Sequence, residues 1–165
     1  MVTIRCTQKL LRRVVAAESS SVPTTVLGDW YANILFTRPE QLVVCVSERS
    51  LLPVVVAARP ATALPLRLAQ SLSKVLACLG VDPLEIVSEI RAMEATTFGR
   101  TSNRRVLGTL NELIFQLSWY LRDNPAMSLL EASLKLARTP CSAVVGSFPD
   151  RATLSLFSST PWSSS

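Results

Sequence analysis

A chain of 165 residues, 48% of them apolar, can bury a single hydrophobic core without disulfide or metal staples. The same composition excludes disorder through the body of the chain, and the complete lack of histidine excludes Ser/His/Asp and Cys/His nucleophile sets. A net charge of +5 is mild and permits a polyanionic partner without requiring one.

Residues 2–6 alternate, with Val2, Ile4 and Cys6 on one side and Thr3 and Arg5 on the other, which predicts a strand covered on one face. Thr7 is placed to cap a following helix in which Leu10, Leu11, Val14 and Val15 form the apolar side and Lys9, Arg12 and Arg13 the basic one. Residues 19–25 read as a polar linker containing Pro23. Three β-rich runs follow, at 30–37, 42–46 and 51–58, separated by turns at Arg38, Pro39 and Glu40 and at residues 47–50. Connections this short cannot hold crossover helices, so the runs are expected to pair as an antiparallel meander, with Pro53 marking an edge strand or a bulge.

The second half reads as helices. Leu64, Leu68, Leu72, Val75, Leu76 and Leu79 make one stripe that stops at Gly80. Asp82, Pro83 and Glu85 then start a second helix faced by Ile86, Val87, Ile90 and Met93. Residues 98–108 read as irregular, giving way at Thr109 and Glu112 to a helix faced by Leu110, Leu113, Ile114, Leu117 and Leu121. Ser128 and Glu131 open the next helix, which Thr139 and Pro140 end, and residues 153–157 alternate as a returning strand. The fold class expected is α+β: a mainly antiparallel sheet packed against C-terminal helices, one domain over 1–158, with 159–165 a flexible tail.

No apolar run approaches the roughly 18 residues of a membrane span; even within 42–58, Glu48, Arg49 and Pro53 intervene. The first ten residues lack the apolar core of a secretory signal, and Cys6, Cys45, Cys78 and Cys141 are too dispersed for a disulfide scaffold or a zinc site. A cytoplasmic protein with mostly buried, reduced thiols, no metal and no cofactor is expected.

The leading site candidate is the connector holding Arg100, Ser102, Asn103, Arg104 and Arg105. Guanidinium forks, hydroxyls and free amides before a helix are the ingredients of an anion site; the bland reading is a solvated loop with its arginines paired to Glu94 or Glu112. Arg5, Lys9, Arg12 and Arg13, with no acid in the first thirteen residues, form a secondary patch that gains meaning only if it shares a surface with the connector. Asp29, Trp30, Tyr31 and Asn33 are a third candidate, set against a turn carboxylate beside a core tryptophan. There is no phosphate-loop or dinucleotide glycine signature.

Three stretches, Ile4 to Leu11 (IRCTQKLL), Leu27 to Asn33 (LGDWYAN) and Phe98 to Arg104 (FGRTSNR) with Leu107, Gly108 and Asn111, resemble an uncharacterised family of small bacterial proteins, a domain of unknown function. Ser47, Glu48, Arg49 and Leu51, and the run Arg138 to Cys141, also look like its pattern. The resemblance implies a bacterial, stand-alone domain and carries over no catalytic or ligand-binding residue. From the arginine connector, the function expected is a binding module for nucleic acid or another phosphate-bearing anion. Its rivals are a histidine-free, Mg²⁺-dependent phosphoryl-transfer or nuclease-type enzyme using Asp29 or Glu48, and a subunit that binds a protein partner.

Overall fold

A computed structural model describes residues 1–17, 22–37, 40–140 and 148–158. The N-terminal alternation forms β1 (Val2–Cys6), followed by a single helical turn, α1 (Gln8–Leu11). Residues 30–57 form the meander as expected: β2 (Trp30–Leu35) pairs antiparallel with β3 (Leu42–Ser47), and β3 with β4 (Pro53–Ala57). The tight turn after β3 is held by Ser47, whose Oγ accepts from the Arg49 and Ser50 amides at 3.3 and 3.2 Å and donates to the Leu27 carbonyl at 2.6 Å.

Helices α2 (Leu64–Leu79) and α3 (Pro83–Ala92) form a hairpin. Gly80 closes α2 at a φ of 91°, and Asp82 caps α3 by accepting from Leu84 N at 2.8 Å. The chain then enters β5 (Thr96–Arg100), α4 (Arg104–Asp123), α5 (Leu129–Ala137) and α6 (Pro149–Ser158). Ser128 caps α5 on Glu131 N at 3.1 Å.

The sheet order is β4-β3-β2-β1-β5. Pro53 lies in the edge strand β4, where a residue without an N–H costs no ladder bond. The N-terminal strand takes an inner place and runs parallel to both neighbours, pairing Ile4 with Trp30 and with Phe98, so the sheet is mixed. Alternate side chains feed two cores. Ile4, Cys6, Trp30, Ala32, Val43, Cys45 and Val54 meet Leu10 of α1 and the stripe of α2, while Tyr31, Val44, Val46 and Val55 meet Val106, Leu110, Leu113 and Leu117 of α4 and Leu136 of α5. Each fully buried leucine or isoleucine stabilises the fold by about 1.5–3 kcal/mol. The protein is thus an α+β domain with helices on both faces of a central sheet, and among the described residues no helix is long and apolar enough to cross a membrane.

Three expectations are corrected. The first helix does not extend to Val15, which is 90% exposed. The chain instead turns after Leu11 so that Ala16 can bridge Phe98 and the Ala17 amide can bond the Phe98 carbonyl at 2.8 Å along the β5 edge. Residues 98–108 are not irregular: 98–100 complete β5, and α4 starts at Arg104, five residues ahead of the Thr109 box. Asn103 is the better cap, its Oδ1 accepting from Arg105 N and Val106 N at 3.0 and 3.2 Å, and Thr109 is buried inside the helix. Residues 153–157 belong to α6 rather than to a strand. Pro149, Thr153 and Phe157 are buried four residues apart, a helical period that the local Thr-Leu-Ser-Leu-Phe alternation conceals. The Arg38–Pro39 part of the first turn, residues 19–21 of the polar linker, Cys141 and the 159–165 tail lie outside the described residues.

Candidate functional site

The parallel pairing of β1 and β5 decides where the candidate residues fall. Both strands end at one edge of the sheet, with Cys6 opposite Arg100. Their following helices leave to opposite faces: Leu10 of α1 joins the core beneath α2, and Val106 of α4 joins the other. Divergence of two helices from adjacent parallel strands opens a crevice outside the strand ends, the topological switch point where open α/β sheets hold their ligands. Here the crevice is about 410 Å³, lined by Cys6, Gln8, Leu11, Arg12, Arg100 and Thr101.

One arginine from the predicted connector and one from the predicted basic helix therefore line one concavity. Arg12 and Arg100 are exposed, and neither pairs with a carboxylate among the described residues. Arg104 and Arg105, also exposed, sit on the first turn of α4 and do not line the crevice. Lys9 and Arg13 lie beside the exposed ring of Phe36, at 5.8 and 5.9 Å from its centroid.

The remaining candidates act underneath. Arg5 turns inward: its Nε donates to Asp29 Oδ2 at 3.3 Å, its Nη2 pairs with the same oxygen at 3.3 Å, and its Nη1 donates to the Arg100 carbonyl at 3.1 Å. Asp29 is buried, and its Oδ1 accepts the Thr3 amide at 2.9 Å. A carboxylate so engaged is compensated in place, and it fixes β1 to β2 while Arg5 fixes the exit of β5. Gly28, at a φ of 77°, delivers the chain into this position; a Cβ there would meet Glu48 Cγ at 2.7 Å. Asp29 and Glu48 are adjacent through the bond from Glu48 N to the Asp29 carbonyl at 3.0 Å, but among the described residues no group of three His, Cys, Asp or Glu is arranged to hold a metal ion.

Tyr31 and Asn33 stand on the α4 face of β2, and Tyr31 meets the connector from below. The Tyr31 hydroxyl accepts the Asn103 amide at 3.0 Å and lies 3.3 Å from the Ser102 hydroxyl. Asn33 Oδ1 accepts from Thr7 Oγ1 at 2.6 Å, and its Nδ2 donates to Asn111 Oδ1 at 3.4 Å, tying the α1 entry to α4. Thr7 thus commits its hydroxyl to Asn33 and makes no side-chain cap. Trp30 points the other way and is fully buried in the α2 core, so neither aromatic is open to stacking.

Cys6 forms part of the crevice wall, where burial pushes its thiol up to about 12 and keeps it protonated at neutral pH. Burial raises the Cys45 thiol as well, with Cys6 adding to the effect. Cys78, by contrast, is exposed on α2. Sequence reasoning missed Gln8 and Phe36, while Thr101 lay inside the connector it named. The β-branched pair Thr96–Thr97 before Phe98 was the one local signal for β5, and with it for the crevice.

No curated protein and no solved structure matches the chain. The model of the family described as a domain of unknown function, DUF6933, matches residues 3–152, spanning all three motif stretches quoted from the sequence. By a match over nearly its whole length, the chain belongs to the DUF6933 family.

Proposed function

We propose that this protein is a binding module for a phosphate-bearing anion, held in the crevice between α1 and the β5–α4 connector. The observation that carries this reading is that Arg12 and Arg100 line one crevice at the ends of two parallel strands whose helices diverge. Two guanidinium groups offer forked donors matched to phosphate oxygens, and the hydroxyl of Thr101 and the amide of Gln8 add neutral donors beside them. The underlying ties of Arg5 to Asp29 and of Tyr31 to Asn103 support the reading, because a binding loop gains affinity when it is held before the ligand arrives. The free, buried thiols of Cys6 and Cys45 support a reducing bacterial cytoplasm as its compartment.

The test is calorimetric titration with inorganic pyrophosphate at low salt. Arg12→Ala and Arg100→Ala are expected to weaken binding by about tenfold or more each, while Arg104→Ala, outside the crevice, stays within about twofold of the unmodified protein. Equal affinity in all four proteins, or no binding to the unmodified one, rejects the reading.

A further inference from the structure

The crevice is one end of a longer cationic surface. α1 is a single turn that Arg12 and Arg13 directly follow, so the cations lie close together: Arg12 reaches the crevice, while Lys9 and Arg13 both approach the ring of Phe36. Arg13 Nη1 is held in place by donating to Gln41 Oε1 at 2.8 Å. Phe36, just beyond the end of β2, is 55% exposed. An exposed phenyl ring with two cations over it, next to a crevice lined by two more, offers its uncovered surface as a stacking platform beside a phosphate track. Glu40 and Arg122 both line a neighbouring groove with Phe36, so the cations without an acid beside them are Lys9 and Arg13, and a backbone would pass the ring on their side.

A free phosphate would occupy the crevice and leave Phe36 unused, and a mononucleotide would leave Lys9 and Arg13 without phosphates of their own. A duplex would offer phosphates to the cations but keep its base faces stacked inside. A single strand supplies both repeated charges and open base faces. Resting on the anion-binding reading above, we propose that the ligand is a single-stranded nucleic acid, with one phosphate between Arg12 and Arg100 and a nearby base stacked on Phe36. The cations track the backbone, and the ring adds affinity that tolerates any base.

The experiment is fluorescence anisotropy with a labelled mixed-sequence 15-mer, as single-stranded DNA, as single-stranded RNA and as the matched DNA duplex, together with calorimetry on inorganic pyrophosphate. The single strands are expected to bind at least about tenfold more tightly than the duplex. Phe36→Ala is expected to weaken single-strand binding about five- to fiftyfold, Phe36→Trp to retain it, and neither to change pyrophosphate affinity. Comparison of the DNA and RNA arms identifies which strand the surface takes. Unchanged single-strand affinity in Phe36→Ala, or a duplex bound as tightly as the single strand, overturns the proposal. Arginine-dependent pyrophosphate binding without strand binding overturns it while leaving the anion site standing; loss of both ends both readings. Binding of polyglutamate as tightly as the single strand would place an acidic protein surface there instead and overturn it too.

Discussion

The hydroxyl of Tyr31 accepts the backbone N–H of Asn103 at 3.0 Å, so a side chain from the middle of the sheet sets where α4 begins. Asn103 is also the cap of that helix, and the residues just before it, Arg100 and Thr101, line the crevice. The cap, the strand exit and the binding wall are therefore one mechanical unit.

Tyr31→Phe removes the acceptor and leaves the Asn103 amide part-buried. The expected loss is about 1–2 kcal/mol of unfolding free energy, the cost of an unpaired buried donor, read as a lower urea midpoint at unchanged slope. Because the loop is loosened and no ligand contact is removed, pyrophosphate affinity should fall less than in Arg100→Ala. A Tyr31→Phe protein with unaltered midpoint would show that water replaces the hydroxyl and that the loop is fixed elsewhere.

Two substitutions at Asp29 separate its two jobs. Asp29→Asn keeps an oxygen for the Thr3 amide but gives up the charge that holds Arg5, whereas Asp29→Ala gives up both and leaves Arg5, whose side chain is 19% exposed, without this carboxylate. The unmodified protein is expected to be the most stable and the alanine variant the least, with the asparagine variant between them. The alanine variant should lose about 3–5 kcal/mol, as for other broken buried pairs. Chemical denaturation measures all three. If asparagine and alanine cost the same, the Thr3 bond contributes nothing and the pairing alone matters.

How much of this was legible in the sequence follows from the distance over which each feature is determined. The caps at Asp82 and Ser128, the stop at Gly80 and the meander are set by neighbours a few residues apart, and each was readable. β5 was not: it is five residues long, interrupted by Gly99, and stabilised by β1, with Thr3 and Thr97 hydroxyls 3.2 Å apart across a sequence separation of 94. Arg100 and the basic run at 9–13 could be named as candidates from charge alone. That Arg12 would join Arg100 while Arg104 and Arg105 would not depends on this long-range parallel pair, which no local period reports.

The thiols offer a check on the crevice wall. With Cys6 raised to about 12 by burial and Cys45 raised too, both should resist maleimide at neutral pH, while the exposed Cys78 labels within minutes. Peptide mapping by mass spectrometry distinguishes the sites, and urea above the unfolding midpoint should equalise the rates. Rapid labelling of Cys6 in the folded protein would mean that the crevice floor opens to solvent.

Glu89 makes the stability depend on pH. It is 2% exposed, and its two carboxylate oxygens accept the Val26 and Leu27 amides at 2.7 and 3.1 Å, clamping α3 to the segment that leads into Asp29. Burial raises its pKa, and the two amides and the nearby Arg49 offset only part of that rise. For a carboxyl whose folded pKa exceeds the unfolded one, the native state binds more protons between the two values, so stability falls as pH rises through that window and is recovered on acidification. The contribution is fully present below the ordinary glutamate value and lost above the folded one. Glu89→Gln cannot ionise, though it presents an N–H₂ where one amide needs an acceptor, so it should be less stable at every pH. The diagnostic is the difference between the two proteins: the advantage of the unmodified protein over the Glu89→Gln variant in urea midpoint should grow as pH falls through the window between the raised folded pKa and the ordinary glutamate value. A difference that stays flat over that range would mean the carboxylate is as comfortable inside as in water, its two amide bonds having cancelled the cost of burial in full.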